Sequence, residues 1–378
     1  MATSSLAIKT HFRKLKDPRC RGRRHHRLLD ILVIAICAVV AGSNSWTQIE
    51  AFGKRRQAWL KRFLALDDGI PSHDTFQRVF EALDAKVLQT CMRQWLLAVS
   101  GALGLEQIAI DGKSLRGSAD ASSGLAPLHL VSAWATKQHL SLGQVLVEPG
   151  SNEITAIPKL LELLDLNGAL VSLDAMGCQK DIARRIVEGG GDYILTVKGN
   201  QPELLEDIQQ CLQRTLDDAD SPVEIYETVE RRHGRQERRC YTVLRHPEGI
   251  RQQQDWPGLK VIGMCASERT VAGTTSSEVR YFIGSKAAGA RYYSRALRSH
   301  WWIENCLHWQ MDISFGEDAN RTRQRNAANS LALLRRTALT LLKRYPSTDS
   351  IICKRLQAAW DPDFLEEILL GAANSENL

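Results

Sequence analysis

The sequence has few aromatic residues, no closely spaced cysteine pairs and no apolar run long enough to span a membrane. Aromatic residues make up 6% of the 378 residues, and the nine cysteines occur singly. Their number is odd, and no Cys-x-x-Cys or Cys/His spacing typical of a metal site is present. These absences argue against a disulfide framework and against a structural zinc site, and they favour a reducing cytoplasm.

One apolar segment, Leu28 to Gly42, follows a basic run and so superficially resembles a secretory signal. It begins late in the chain, contains Asp30 and is shorter than the roughly 20 residues that span a bilayer. We therefore predict a buried helix here, and no membrane association.

Charge of neither sign dominates, since 49 Lys and Arg residues stand against 43 Asp and Glu residues, a net charge of +6. The distribution is uneven, because residues 1–62 contain fourteen basic and only three acidic residues. A second basic group lies in 321–344, and 203–227 is acidic. Each basic group alone could be a solvated face. Two of them at opposite ends suit a protein that holds a phosphate backbone at more than one place.

The chain is long enough for two or three domains, and its 44% hydrophobic and 24% charged residues exclude general disorder. Apolar spacing predicts helices over 28–64, 74–98 and 292–344. Ser72 caps the second helix after a Gly/Pro break, which is loosely a helix-turn-helix arrangement. An ordinary packed pair of helices explains the same pattern.

Strands predominate in the middle of the chain. Five strands are predicted, at 107–110, 128–135, 140–147, 169–173 and 193–197. Helices are predicted at 157–164 and 178–188, so this part is a mixed α/β sheet. Further strands form a β-rich insertion, at 223–229, 239–244, 259–265 and 279–283.

Two aspartates, Asp111 and Asp174, come directly after two of the predicted strands. Ligands of open α/β sheets gather at such strand ends. Neighbouring carboxylates repel one another unless a cation lies between them, and Mg²⁺ prefers carboxylate and phosphate oxygens. A strand-terminal aspartate can instead simply cap a turn.

A third acid is expected from the late helix, where His300, Glu304 and His308 are four residues apart and so share a helix face. This spacing could hold zinc, but the hydrolytic His-Glu-x-x-His pattern is absent. Glu304 as a third Mg²⁺ ligand is preferred. Its competitors are Asp312, Glu317 and Asp318. The tryptophans expected to pack this helix against the sheet are Trp301, Trp302 and Trp309.

Six motifs then follow one another along the chain: IAIDGKSLRGS, SLDAMGCQKDIA, DYILTVKGNQ, HGRQERR, VRYFIGS and SHWWIENCLHWQMDISFGEDANRTR. An N-terminal block, RHHRLLDILVIAICAVVAG with GIPSHDTFQRVF after it, precedes them. Together they make nearly the whole chain similar to insertion-sequence transposases of the H-repeat-associated kind, within the DDE superfamily.

The resemblance implies an α/β fold, an RNase H-like mixed sheet with a β-rich insertion, preceded by a helical N-terminal domain. The helical domain, expected to bind DNA, would cover 1–100, and the first part of the catalytic core 105–221. The insertion would cover 222–288. The helical remainder of the core, with the third acid, would cover 289–345, and a helical tail 346–378.

The resemblance also implies a transposase that binds the ends of an insertion sequence and catalyses Mg²⁺-dependent strand cleavage and strand transfer. Asp111, Asp174 and Glu304 fall where the catalytic triad is expected, and they would hold Mg²⁺, or Mn²⁺ in its place. The partner would be double-stranded DNA, at the terminal inverted repeats and at the target. A homodimer would join the two ends, in the bacterial cytoplasm at the nucleoid.

The match is imperfect around the third acid, where related transposases place Tyr, Arg and Lys at set intervals. Those positions hold Leu297, His300 and Met311 here. Ten residues are expected to contact DNA: Arg23, Arg24, Arg27, Lys113, Arg116, Lys198, Arg235, Arg298, His300 and Arg321.

Alternatives remain for the function and for these contacts. Lys198 could be a solvated strand-end lysine, and Arg235 could lie at an exposed hairpin tip. The protein could be a domesticated or inactive relative that acts as an RNase H-like nuclease. It could also be a sequence-specific DNA-binding protein whose acids are structural.

Overall fold

The computed structural model describes residues 8–100, 106–120, 122, 124–218, 222–232 and 234–370. The N-terminal part is helical. Its helices are α1 (Ile8–His11), α2 (Leu28–Val40), α3 (Trp46–Arg55), α4 (Gln57–Leu60), α5 (His73–Ala82) and α6 (Ala85–Ser100).

Helix α2 is the apolar segment noted in the sequence, and eleven of its 13 residues are buried. It is apolar on every side, as expected of a helix surrounded by protein. The prediction of a buried helix is therefore confirmed. In the ranges given above, no helix is long and apolar enough to cross a membrane.

The long N-terminal helices predicted from the sequence are each broken into shorter ones by polar caps. After α2 the chain turns at Gly42, with φ of +102°, and the Ser45 hydroxyl accepts a hydrogen bond from the Gln48 amide at the start of α3. Between α5 and α6, the Asp84 carboxylate accepts hydrogen bonds from two amides of the next turn. Capping at these positions outweighs the continuous apolar spacing.

A nine-stranded sheet follows. Its strands are β1 (Gln107–Leu115), β2 (Leu128–Ala135), β3 (Leu140–Leu146), β4 (Leu170–Leu173), β5 (Asp192–Val197), β6 (Glu224–Arg232), β7 (Arg235–Arg245), β8 (Val261–Val271) and β9 (Thr274–Gly284). The strand order is β3-β2-β1-β4-β5-β9-β8-β7-β6. Strands β1, β4 and β5 are parallel to one another, and the other pairs are antiparallel.

The first five strands form the RNase H-like mixed sheet that was predicted: an antiparallel meander, then two parallel strands reached through crossover helices. The connecting helices are α7 (Glu153–Leu161), α8 (Lys180–Glu188) and, after β5, α9 (Pro202–Leu216). The strands of the insertion continue the same sheet, because β9 pairs with β5 from Ile194↔Gly284 to Val197↔Tyr281.

The remaining helices are α10 (Ala290–Ile303), a π-helical turn (Glu304–His308), α11 (Trp309–Ile313), α12 (Arg325–Arg344), α13 (Ile351–Trp360) and α14 (Pro362–Leu370). Helix α12 has fifteen of its 20 residues buried. It packs against α2, α5 and α6 on one side and against β3 on another. The helical N-terminal part and the sheet therefore share one hydrophobic core through α12.

Candidate active site

Asp111 and Asp174 lie side by side at one edge of the parallel strands. In the parallel pair, Ile110 of β1 is opposite Leu173 of β4, the last matched residues of the two strands. The residues that follow are the two aspartates, and neighbouring strands are about 4.8 Å apart. The pairing of these strands thus brings the two carboxylates to one place in the molecule.

The sequence prediction that β1 ends at Asp111 is wrong in detail. β1 continues to Leu115, paired with β2 alone. Strand β1 extends beyond the end of β4 because the polar residues after Asp111 still form backbone pairs with β2. Asp111 therefore leaves the β1–β4 pair without leaving the sheet.

The Asp111 carboxylate is held on both oxygens. Its Oδ1 accepts a hydrogen bond from the Gly112 amide at 2.9 Å, and its Oδ2 lies 3.2 Å from Nε2 of His308. Burial raises the pKa of Asp111, but His308, the field of His300 and the Gly112 amide more than offset it. The net pKa of Asp111 lies below its ordinary value, which favours the ionised form.

Asp174 is set in the turn after β4. Its Oδ1 accepts hydrogen bonds from the Met176 amide at 3.0 Å and the Gly177 amide at 3.3 Å. Partial burial raises the pKa of Asp174 above its ordinary value, and the negative charges of Glu153 and Asp111 raise it further. Glu153 and Asp111 therefore add negative charge to the surroundings of Asp174.

His300, Glu304 and His308 have different surroundings. His300 and His308 are buried near Asp111, whereas Glu304 is exposed, although it lines the same cavity as His308. A π-helical turn spans Glu304–His308, so the regular helical repeat expected from the sequence is not kept there. His300 Nδ1 lies 3.1 Å from the Ser172 hydroxyl, and burial lowers the pKa of His300 below its ordinary value.

Of the four acids considered for the third position, Glu304 has the most open surroundings. It lines a cavity of about 550 Å³ together with Gly112, His129 and His308. Within the described ranges, no residue forms a hydrogen bond or an ion pair with the Glu304 carboxylate. Its carboxylate is thus available to a ligand that enters the cavity.

The three competing acids are engaged by cations of the chain. Lys113 Nζ contacts both Asp312 oxygens at 2.5 and 2.7 Å, and it lies 3.7 Å from Asp318. Glu317 is fully buried with Arg336 Nη1 at 2.8 Å. These pairs compensate the charges of Asp312, Asp318 and Glu317 within the chain, although Asp312 lines the same cavity as Glu304.

The expectation that three tryptophans pack the late helix against the sheet is wrong for two of them. Trp302 is 49% exposed and Trp309 is 53% exposed. The inward face is instead taken by His300, Ile303 and Leu307, which are buried. Only Trp301 is covered, with the Arg280 guanidinium 4.7 Å from its ring centroid.

A second cleft, of about 680 Å³, lies between the insertion strands and α10. It brings together Arg235 and Arg298, which had been singled out from the sequence. The structure adds Arg239, which is 4% exposed, and Arg269. The other residues that line it include Glu230, Val271, Trp301, Trp302 and Asn305. Arg298 forms an ion pair with Glu230 at 2.6 Å inside the cleft.

The other basic residues singled out from the sequence are dispersed. Arg116 and Lys198 are exposed at the edge of the sheet that carries the aspartates, and Arg321 is exposed after α11. Arg24 donates to the carbonyls of Arg19 and Asp17, and Arg27 pairs with exposed Asp67 at 2.8 Å. The side chain of Arg23 and the whole of His233 lie outside the described part of the structure.

Comparison with known protein families matches almost the whole of this chain. A family model described as Transposase DDE domain matches residues 82–341. Another, described as DDE_Tnp_1-associated, matches residues 9–96. The chain belongs to the DDE transposase family.

Curated relatives of this transposase include two proteins of Escherichia coli. "Putative transposase YncI" of strain O157:H7 is 39% identical, over 95% of this chain and 93% of that protein. "H repeat-associated putative transposase YhhI" of strain K12 is 36% identical, over 97% of this chain and 98% of that protein. Among solved structures, a piggyBac transposase synaptic complex with hairpin DNA matches at a TM-score of 0.38 and 10% identity, covering 99% of this chain and 78% of that one.

The acidic donors of this transposase fit a hard divalent cation by their chemistry and their mutual repulsion. Carboxylate oxygens suit Mg²⁺, and a cation between Asp111, Asp174 and Glu153 would offset the repulsion that raises the pKa of Asp174. Across the residues placed by the structure, however, no three His, Cys, Asp or Glu side chains already converge as a ligand group.

Glu153 and His129 lie beside the candidate site, and the sequence reasoning did not single them out. The predicted helix began at residue 157, which left Glu153 outside it. The structure starts α7 at Glu153 instead, with the Asn152 side chain accepting from the Ile154 amide at 3.1 Å. The Asn152 cap, followed by an acid, is the signal that could have located it.

Proposed function

We propose that this protein is a DNA transposase that cleaves DNA at the ends of its element and transfers the cut strand to target DNA, with Asp111, Asp174 and Glu304 as its acidic residues. The observation that carries the proposal is the placement of Asp111 and Asp174 immediately beyond Ile110↔Leu173. Membership of the transposase family supports the same chemistry.

The residues around the two aspartates orient their carboxylates, and those around Asp111 also favour its ionised form. The Gly112 amide and His308 stabilise the Asp111 carboxylate, and two backbone amides hold Asp174. Lys113 pairs with Asp312 in the wall of the cavity that Glu304 also lines, so the charge of Asp312 is already compensated within the chain.

The acids would hold Mg²⁺, or Mn²⁺ in its place. A bound divalent cation supplies a Lewis acid that activates a water or a DNA 3′-hydroxyl and stabilises the charge that develops on the phosphate. Asp111, Asp174 and Glu304 are the residues proposed to hold it.

The DNA is proposed to run from the second cleft to the acids. Arg235, Arg239, Arg269 and Arg298 supply positive charge to the cleft, which suits a phosphate backbone. The half-exposed rings of Trp302 and Trp309 lie on either side of Glu304 in sequence and offer apolar surface to bases. Arg116, Lys198 and Arg321 would contact DNA beside the acids.

The partners of this proposed reaction are double-stranded terminal repeats and target DNA. Two copies of the chain would hold the two ends together, in the cytoplasm at the nucleoid. The helical N-terminal part, with its basic residues, would recognise the ends.

Substitution of the acids tests the proposal. Asp111→Asn, Asp174→Asn and Glu304→Gln should each lower Mg²⁺-dependent cleavage of end DNA by about 10²-fold or more, because each removes a ligand charge from the reacting centre. Binding of the same DNA should persist. Cleavage is measured on labelled end duplexes, and binding by fluorescence anisotropy.

Asp181→Asn, on the exposed surface of α8, is the matched control and should cleave like the unaltered chain. If Asp312→Asn is inactive while Glu304→Gln is active, the third acid is Asp312. An unaltered chain that binds end DNA but never cleaves it would contradict the proposal in favour of a DNA-binding relative.

A further inference from the structure

Glu153 extends from the first turn of α7 toward the two aspartates. Its carboxylate occupies the place where a Cβ on Gly112, the residue next to Asp111, would stand. The side chain of Glu153 is 19% exposed. The helix dipole alone favours an acid in the first turn of a helix. The position of Glu153 in α7 is therefore not evidence of a role, and its contacts must be considered instead.

Those contacts form a hydrogen-bonded chain that fixes the carboxylate. His129 Nε2 donates to Glu153 Oε1 at 2.7 Å. With that nitrogen donating, Nδ1 of the neutral ring accepts from the Ser114 hydroxyl at 3.0 Å. Ser114 is in β1 and His129 in β2, so two strands of the sheet orient a side chain that begins on a helix.

Gly112 provides the room for this arrangement. A Cβ built on Gly112 would overlap the Glu153 carboxylate and the His129 ring. The backbone of Gly112 has no positive φ, so glycine is not required there by conformation. Its lack of a side chain lets Glu153 cross β1 next to Asp111.

A further observation indicates that a ligand belongs at this place. His308 is 5% exposed and lines the same cavity as Gly112, Ser114 and His129. Nδ1 of His308 has no hydrogen-bond partner within the described ranges, while Nε2 faces the Asp111 carboxylate at 3.2 Å. Buried ring nitrogens without hydrogen-bond partners are uncommon in complete sites.

We propose that Glu153 is an additional acidic residue of the candidate active site, facing a divalent cation together with Asp111 and Asp174, and that His129 is the positioning residue that sets its orientation. This inference rests on the proposed function, since it deepens the site described there. Gly112 is the small residue that admits Glu153.

Titration of the full chain with Mn²⁺ alone, by isothermal calorimetry without DNA, tests the role of Glu153. Glu153→Gln should raise the Kd for Mn²⁺ about tenfold or more, because the substitution removes a charge that faces the cation. Glu162→Gln is the matched control. It removes the same charge at the other end of α7, where Glu162 faces exposed Arg185 at 3.2 Å, and it should leave the Kd unchanged.

Substitutions that move Glu153 without altering its charge separate positioning from a merely structural role. Gly112→Ala should weaken Mn²⁺ binding as Glu153→Gln does, and the two changes together should not add. His129→Leu should weaken binding, whereas His129→Gln, which keeps an amide donor toward Glu153, should restore it. Thermal unfolding by circular dichroism is recorded for every variant.

The outcomes are distinct. A Kd unchanged in Glu153→Gln, with only a lower Tm, overturns this inference and leaves the proposed function standing. An unaltered chain that binds no Mn²⁺ overturns both the inference and the metal-dependent chemistry. Weakened binding in Glu153→Gln with rescue by His129→Gln supports the inference.

Discussion

Glu317 supplies the negative charge within a buried group of arginines. It lies 2.8 Å from Arg336, with which it is fully buried, and 3.9 Å from Arg335. Burial alone would raise the pKa of Glu317, but the two guanidinium groups hold it below its ordinary value. The carboxylate is therefore a structural counter-ion behind the cavity, and not a free acid facing it.

Glu317→Gln should destabilise the protein by about 3–5 kcal/mol, because it leaves buried arginine charge without compensation. The free energy of unfolding is measured by urea denaturation. Asp318→Asn, one residue along and 26% exposed at its side chain, should change it by about 1 kcal/mol or less. Equal losses in the two variants would contradict the assignment of Glu317 as a buried counter-ion.

The sequence predicts only in part which acidic residues lie close together at the candidate active site. Asp111 and Asp174 were found because each follows an apolar strand, and strands in register place such residues together. Glu304, Asp312 and Glu317 could not be distinguished by spacing, since their difference lies in burial and in the cations of distant segments. Glu153 was missed for the same reason: its neighbours come from β1 and β2.

Strand β7 carries an arginine at each end, in very different surroundings. Arg235, at its start, lines the cleft beside α10, and it lies 3.0 Å from Glu237. Arg245, at its end, is 2.7 Å from Glu224 and lines no part of that cleft. One strand thus provides both a test residue and its control.

Arg235→Gln should weaken binding to end DNA and reduce the slope of log Kd against log salt by about 1, because one phosphate contact is lost. Arg245→Gln should leave both unchanged. Anisotropy titrations at several salt concentrations measure the two quantities. Identical behaviour of the two variants would exclude the cleft from the DNA path.

At the scale of elements, strands were easier to predict than the breaks between helices. The first five strands lie within a few residues of their predicted bounds, except that β1 runs on past Asp111. The π-helical turn at Glu304–His308 was not visible, because residue spacing alone assumes a regular helix. Glu304 and His308, at the two ends of that turn, both line the cavity.

The whole molecule is organised around α12. This helix packs against three N-terminal helices and against β3, so neither side of the core is complete without it. The division of the chain into five parts, drawn from sequence, stays a prediction. The many basic residues near the N-terminus predict a DNA-binding part there. They give no information on how extensively the N-terminal helices pack against α12.

The full chain should unfold in one cooperative transition, because the helical part and the sheet share a core. Differential scanning calorimetry should give a single peak whose calorimetric and van't Hoff enthalpies agree. A chain lacking residues 1–98 should lose this transition. Two separate peaks in the full chain would show that the helical part is an independent domain.

Arg355 of α13 donates to the carbonyl of Val39 at 3.0 Å and to the Asn44 side chain at 2.8 Å, and its guanidinium also contacts the Ser314 carbonyl. During synthesis, the turn after α2 leaves the ribosome long before Arg355 is translated. The contacts that Arg355 makes with this turn can therefore form only when the chain is nearly finished. A product ended early by a nonsense codon or a frameshift would lack them and should be degraded sooner by proteases. Completion of translation should thus influence how much folded protein a cell contains.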